Sequence, residues 1–522
     1  MSHRPHLDPT HTQTGNPSLV AMWGLRALVA ALVIFHLCTL ADYPAPFIDE
    51  GWFIARARGF AQDGYPFGAL DEGVFDRLPG YRYFFPYLPT ALQALPFLFF
   101  DEPNLLATRA ISLSCGLVLV YCVFLIGTWV SGHVTGLLSA ALLLSAPFFL
   151  LSSHLARIDV EAAAVGIIGF TLILTSARIS WIRLVLGGFL AGVAIEFHPH
   201  AAVITASALV AALVVGSSMR ERALSFMFAS FGCGLGGLLY VFLHILPDPG
   251  AFLAFQKIAF APTHTPPLFT FDARVVIDGL YHALLATFGG DLIGPLLCFV
   301  IFVGGIALTN GRTRTIGGLA GMALLACGVL LRHKFGFYNI YFQPLTLVFT
   351  ASLLGFLFAE LDSWSGTRRM CGRVLQACVV VMCLRIGVGF THEITSALHQ
   401  PTSMEVLPDL SAFVRPDDRV MGNQTFWLAV PNVRYYSPEH LIYYTRWKHG
   451  ASVSDALREL RPTLIIQDGH LRDCLTTGEQ GCWYICFPDD GLDRLVVSSE
   501  LVATIPNSTY GEIRIYRPRY TS

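Results

Sequence analysis

Charge is what this chain has least of. Only 13% of its 522 residues are Asp, Glu, Lys or Arg, against roughly 25% in soluble domains. Too few charges remain to solvate so large a surface, which argues against an ordinary soluble enzyme or a disordered chain. Neither sign is in excess, with 34 Lys and Arg against 36 Asp and Glu. No global field therefore points to a polyanion, and nucleic acid is not an expected partner. Nine of the 12 cysteines lie in or beside apolar runs, where cysteine is a small buried hydrophobe. The other three, Cys474, Cys482 and Cys486, cluster in the polar C-terminal tail, where an oxidising compartment would allow one pair to form a disulfide. No internal repeat is visible, and the tail has no GxGxxG or P-loop signature.

Long apolar runs take the place of charge. A bilayer core needs about 20 apolar residues per helix, with roughly 17 as a lower bound. Candidate spans fall near 22–41, 110–130, 134–153, 160–177, 184–199, 200–216, 223–246, 291–309, 316–331, 338–358 and 374–391. Residues 86–100 are short and carry Pro86, Pro89 and Pro96, so they read as interfacial or re-entrant. With that run left out and the N-terminus inside, four turns face the cytoplasm. They carry Arg178 and Arg183, Arg220 and Arg222, Arg312 and Arg314, and Arg368, Arg369 and Arg373. Counting 86–100 as a span would move all four outside, against the positive-inside rule.

The expected fold is therefore mainly α, a polytopic membrane bundle of about eleven spans. Residues 1–21 form a cytoplasmic tail and 22–391 the membrane domain, with outer loops at 42–109 and 247–290. Residues 392–522 change character. VRPDDRVMGN, RPTLIIQDGH and YGEIRIYRP read as strands and SVSDALRELRP as a helix, giving a small extracytoplasmic α/β domain. The protein belongs in the plasma (inner) membrane on this reading.

The informative charges gather on the outer face. Asp49 and Glu50 follow the first span and open an amphipathic stretch containing Arg56 and Arg58. At a helix start such acids are often solvated caps. Asp76 and Arg77 precede the interfacial run, and Arg157, Asp159 and Glu161 lie at the outer end of a span. Ionisable groups at the hydrocarbon edge are costly and usually functional. Arg56, Arg77 and Arg157 are candidates for a lipid phosphate, and a carboxylate could deprotonate an acceptor. Glu196, His198 and His200 surround Pro199, where a divalent cation is one reading and hydrogen bonding to backbone freed by the proline is the other. Asp101, Glu102 and Arg109 read as interface anchors.

Four segments in order resemble the GT-C glycosyltransferases, in particular bacterial relatives of protein O-mannosyltransferases (family 39) and the lipid A aminoarabinose transferases. They are DEGWFIARARGF, FDRLPGYRYFFPYL, SHLARIDVEAAA and KFGFYNIYFQPLTLVF, running from residue 49 to residue 349. The second departs from the family's Pro-Pro, having Leu78-Pro79. The resemblance implies a polyprenyl-phosphate sugar donor and an acceptor outside the cytoplasm. It makes Asp49, with Glu50, the leading general base or acceptor-orienting acid and Asp159 a second site acid. It places Arg77 at the donor phosphate with Asp76 beside it as a candidate metal ligand. It puts Lys334 and Tyr338 in the donor cavity, and His264 in a loop that holds a metal-binding histidine in the aminoarabinose transferases. A divalent cation at Asp76, His198, His200 or His264 is an open cofactor. A lipid-linked-sugar flippase and a membrane-anchored assembly protein are the rival readings.

Overall fold

The computed structural model describes residues 19–175, 180–259, 277, 293–330, 336–399, 406–477 and 491–520. Lys334, His264, Cys482 and Cys486 lie outside the described residues.

The chain is a multi-pass membrane protein. The first half contains helices α1 (Leu19–Thr39), α2 (Ile48–Asp63), α3 (Tyr87–Gln93), α4 (Leu105–Ser131), α5 (His133–Leu144), α6 (Pro147–His154), α7 (Ile158–Leu174), α8 (Trp181–Phe197), α9 (Ala202–Val214), α10 (Met219–Tyr240) and α11 (Pro249–Ala259). Ile293–Leu308, Gly311–Leu330, Gln343–Glu360 and Gly366–His399 complete the apolar set. The described residues of the eleven expected spans are largely helical. Among the described residues, however, only six helices are long and apolar enough to cross a membrane. A seventh is added if α5 and α6, bent by 68° at the break before Pro147, count as one. The rest are short: α7 and α8 have 17 residues, α9 has 13 and Ile293–Leu308 has 16. The run at 86–100 makes only the seven-residue α3 and a 3-10 turn at Leu95–Leu98 interrupted by Pro96.

Helices α8 and α10 approach backbone to backbone. A methyl group at Gly188 or Gly192 of α8 would collide with the carbonyls of Ala229 or Cys233, and one at Gly232 or Gly236 of α10 with those of Val185 or Phe189. Two interlocked Gly-x-x-x-Gly faces thus bring the helices together where lipid offers no hydrophobic drive.

The tail carries a five-stranded sheet in the order β2-β1-β3-β5-β4. Its strands are β1 (Arg419–Met421), β2 (Arg434–Tyr436), β3 (Leu464–Gln467), β4 (Glu500–Ile505) and β5 (Ile513–Arg517). Strands β2, β1 and β3 are parallel, while β5 and β4 add antiparallel. The tail shares its core with the first outer loop. Trp52, Ile54, Leu70, Phe75 and Tyr81 pack in one cluster with Val420, Phe426, Trp427, Tyr435, Ile466 and Ile515. Polar ties reinforce this: Tyr510 Oη donates to the Pro46 carbonyl at 2.9 Å and Thr425 Oγ1 to that of Phe47 at 3.0 Å. Cys474 is buried and disulfide-bonded.

Candidate active site

The site grows from the first turns of two helices. Asp49 and Glu50 are the second and third residues of α2, and Asp159 is the second residue of α7. Both positions face the positive end of a helix dipole, which favours carboxylates.

The neighbours Asp49 and Glu50 have opposite fates. Glu50 is fully buried and accepts Arg109 Nε and Nη2, each at 2.8 Å. It also accepts the backbone N–H of Phe47 at 2.8 Å and of Ala156 at 2.7 Å. Arg109 donates further to the Leu40 carbonyl at 3.2 Å. This knot ties the end of α1, the start of α2, α4 and the lead into α7. Its lone pairs are used, so Glu50 is a structural joint rather than a free acid, and Arg109 is a buried partner rather than an interface anchor.

Asp49, 30% exposed, pairs with Arg157 Nη1. Arg157 Nε in turn donates to Asp159 Oδ2 at 2.9 Å, and its guanidinium lies 3.8 Å from the Phe337 ring centroid. Asp159 has no exposure, accepts Tyr341 Oη at 3.3 Å, and has His198 Nε2 at 3.8 Å. Tyr338 stacks edge-on against His200, ring centroids 4.4 Å apart. Two acids 110 residues apart in sequence are thus joined through one arginine beneath an aromatic rim.

Other expected site residues lie elsewhere. Arg56 is buried and spent on Asp71, 3.1 Å from Nε and 2.8 Å from Nη2, on Tyr81 Oη at 2.8 Å, and on the Phe85 ring at 3.2 Å. Its Nε and Nη2 are thereby committed to the scaffold. Arg77 is 42% exposed and joins Asp76, 4.0 Å away, to Glu459 of the tail. It clasps loop to tail, and Asp76 does not join the Asp49–Arg157–Asp159 chain. Glu161 turns to Gln93 Nε2, which donates at 2.8 Å. Glu196 caps α3, accepting the Tyr87 N–H at 2.6 Å and the Leu88 N–H at 3.2 Å, with His244 Nε2 at 3.4 Å.

A resident cation fits these residues poorly. His198 Nδ1 accepts the His200 backbone N–H at 3.1 Å, so in the neutral ring the proton sits on Nε2, facing Asp159. The backbone freed by Pro199 has thus found an imidazole. Among the described residues no group of three His, Cys, Asp or Glu is placed to hold a metal ion.

Sequence reasoning missed two residues of the tail. Gln424 follows β1, and its backbone lies so close to Gly51 that a methyl there would collide with the Gln424 carbonyl. Glu439 follows β2 at the start of the helix Pro438–Trp447 and lies within electrostatic reach of Asp49. Burial, then Asp49, pushes its carboxyl up to about 8. The available signal was the α/β pattern itself, since loops at the carboxyl ends of parallel strands are where such sheets bind ligands.

No family model matches the sequence, and no curated protein matches it either. Solved structures do. ArnT from Cupriavidus metallidurans in the apo state aligns with a TM-score of 0.58 at 13% identity, covering 95% of this chain and 98% of that one. The same protein bound to undecaprenyl phosphate gives 0.56 at 13% identity, with 95% and 98% coverage. The alignment runs through membrane helices and tail alike. The chain therefore shares the fold seen in ArnT.

Proposed function

We propose that this protein is a membrane glycosyltransferase that moves a sugar from a polyprenyl-phosphate donor to an extracytoplasmic acceptor. The observation that carries this reading is the Asp49–Arg157–Asp159 chain, set where the helical bundle meets the tail. The likeness to ArnT, crystallised with undecaprenyl phosphate, supports a lipid-phosphate donor.

The chemistry follows from the leaving group. A polyprenyl phosphate departs with its electron pair as the acceptor oxygen attacks the anomeric carbon, so no protein nucleophile is needed and the carbon inverts. Asp49, partly open to solvent, takes the acceptor proton. Arg157 fixes the rotamer of Asp49, and Asp159, held by Tyr341, fixes Arg157. Such prior positioning supplies much of a displacement's acceleration. Tyr338 borders the donor side. Glu50, Arg56 and Arg77 are assigned to scaffold, and no step is routed through a metal ion.

In this reading the bundle keeps eleven membrane segments; α7 is buried along most of its length, while Ile293–Leu308 turns Leu296, Phe299 and Val303 toward lipid. The N-terminus lies in the cytoplasm and the tail outside the plasma membrane. The disulfide at Cys474 supports an oxidising compartment for the tail.

Purified protein with undecaprenyl-phosphoryl sugars tests the proposal. Asp49→Asn is expected to lower transfer by at least about two orders of magnitude, the range for losing a general base, with donor binding retained. Transfer undiminished in Asp49→Asn would remove Asp49 from the mechanism. Sugar translocation without transfer would favour the flippase reading.

A further inference from the structure

The tail sheet has its own address for a ligand. In the parallel set β2-β1-β3 the chain leaves β1 to one side for β2 and returns on the other for β3. In open α/β sheets the crevice at such a reversal, outside the carboxyl ends of the strands, is the usual binding place. Here those ends abut the start of α2. Gln424 follows β1 and Glu439 follows β2. Asp468 follows β3 and is spent, accepting Asn423 Nδ2 at 3.0 Å and the Leu471 N–H at 2.7 Å.

Two polar groups in this crevice answer to each other rather than to the scaffold. Gln424 is fully buried, and its amide makes no well-formed hydrogen bond; the group that reaches it is the Glu439 carboxyl. A buried amide held so loosely is rare in native proteins and calls for a reason. Glu439 lies beside that amide and is partly open to solvent. The charged and titratable groups around it are Asp49 and Arg56 on α2, and Arg446 and Tyr443 on its own helix. Arg56 is committed to Asp71.

We infer that Gln424 and Glu439 form the acceptor-binding wall of the site, opposite Asp49, and take a hydroxyl group of the acceptor. This rests on the transferase reading above. The hydroxyl lies between Asp49, which receives its proton, and the neutral carboxyl of Glu439, which donates a hydrogen bond to its oxygen. Gln424 positions Glu439 and supplies a second amide donor. A neutral Glu439 also spares Asp49 a facing negative charge, which explains how two carboxyls share one crevice.

The test uses the full-length protein in lipid nanodiscs, with octyl mannoside as the hydroxyl probe and undecaprenyl phosphate as the donor-side probe. Gln424→Leu and Glu439→Ala are expected to weaken octyl mannoside binding, and to raise its KM as acceptor, by about tenfold, the value of a lost hydrogen bond to a well-placed group. Undecaprenyl phosphate binding should stay within about twofold in both. Gln424→Leu should change the melting temperature little, because the buried amide it removes is held only loosely, by Glu439. A merely structural role predicts the reverse.

Wild-type affinity for octyl mannoside should fall as pH rises through about 8, where Glu439 ionises. Glu439→Gln, neutral at every pH, should restore binding relative to Glu439→Ala and abolish that fall. The inference is overturned if the wild type binds no octyl mannoside, if the Ala and Leu variants bind it normally, or if Glu439→Gln keeps the wild-type pH decline. Binding changes as expected, with no transfer from any undecaprenyl-phosphoryl sugar, would sink the transferase reading and leave the hydroxyl-binding wall standing.

Discussion

Asp49 and Glu50 are adjacent carboxylates, and the structure divides their labour in a way that stability measurements can test. Glu50 and Arg109 are both without exposure and exchange two hydrogen bonds of 2.8 Å. Two backbone N–H groups, from Phe47 and Ala156, complete the shell. Removing one partner of such a pair strands a buried charge and costs about 3–5 kcal/mol. That is a third or more of the roughly 5–15 kcal/mol by which a typical domain is stable. Glu50→Gln and Arg109→Met should each therefore lose that much in detergent-solubilised protein followed by thermal unfolding. The double variant Glu50→Leu with Arg109→Met should recover much of it, because two apolar groups need no counter-charge. With Glu50→Leu as the matching single variant, the coupling energy should exceed about 2 kcal/mol, within the range for contacting residues. Asp49→Asn, at a 30% exposed side chain, should shift stability by under about 1 kcal/mol while abolishing transfer. If Glu50→Gln melts like the wild type and loses only activity, the division of roles drawn here is wrong.

Arg157→Lys keeps the charge but not the fork that reaches both Asp49 and Asp159, and should cut kcat by about tenfold or more with little change in donor Kd. Gly188→Leu or Gly232→Leu should prise α8 from α10 and cost at least about 1–3 kcal/mol, visible as a lower melting temperature. At the loop–tail clasp, hydrogen bonds from Lys448 and Tyr444, and then Arg77, hold Glu459 down to about 2. A depressed carboxyl stabilises the fold above its ordinary value of 4.5, and that contribution fades as pH falls toward 2. The clasp is partly solvated, so Glu459→Gln should cost under about 1 kcal/mol at neutral pH. It should also flatten the melting-temperature decline between pH 5 and 2.

How much of the site was legible differs residue by residue. Charges are so rare here that each survivor at the outer edge stands out, Asp49, Arg157 and Asp159 along with Glu50, Arg56, Asp76, Arg77 and Glu161, and the family resemblance put Asp49 first among them. The charge pattern could not separate Asp49 from Glu50. Adjacent helix residues point about 100° apart, and only the position of Arg109 on α4 decides which acid is buried. Arg56 looked like a free phosphate ligand until Asp71, Tyr81 and Phe85 were seen closing around it. Around Glu196 and His198 a cation and the backbone freed by Pro199 were both open readings, because spacing alone does not say which donors lie in reach. The exposed N–H groups at the start of α3 and the broken turn at Pro199 claim the two side chains.

By itself, the sequence determined the solvent of this protein and its layout. Apolar runs of bilayer length, a handful of charges and a tail of short strands dictate a helical bundle with an α/β appendage, since these are local properties of pattern and composition. Only the tertiary structure decided how the two parts meet. The tail does not hang from the bundle but shares a core with the first loop, and this brings Gln424 and Glu439 to Asp49 from almost 400 residues away. Contacts across such separations depend on packing complementarity summed over many side chains, which no local pattern encodes.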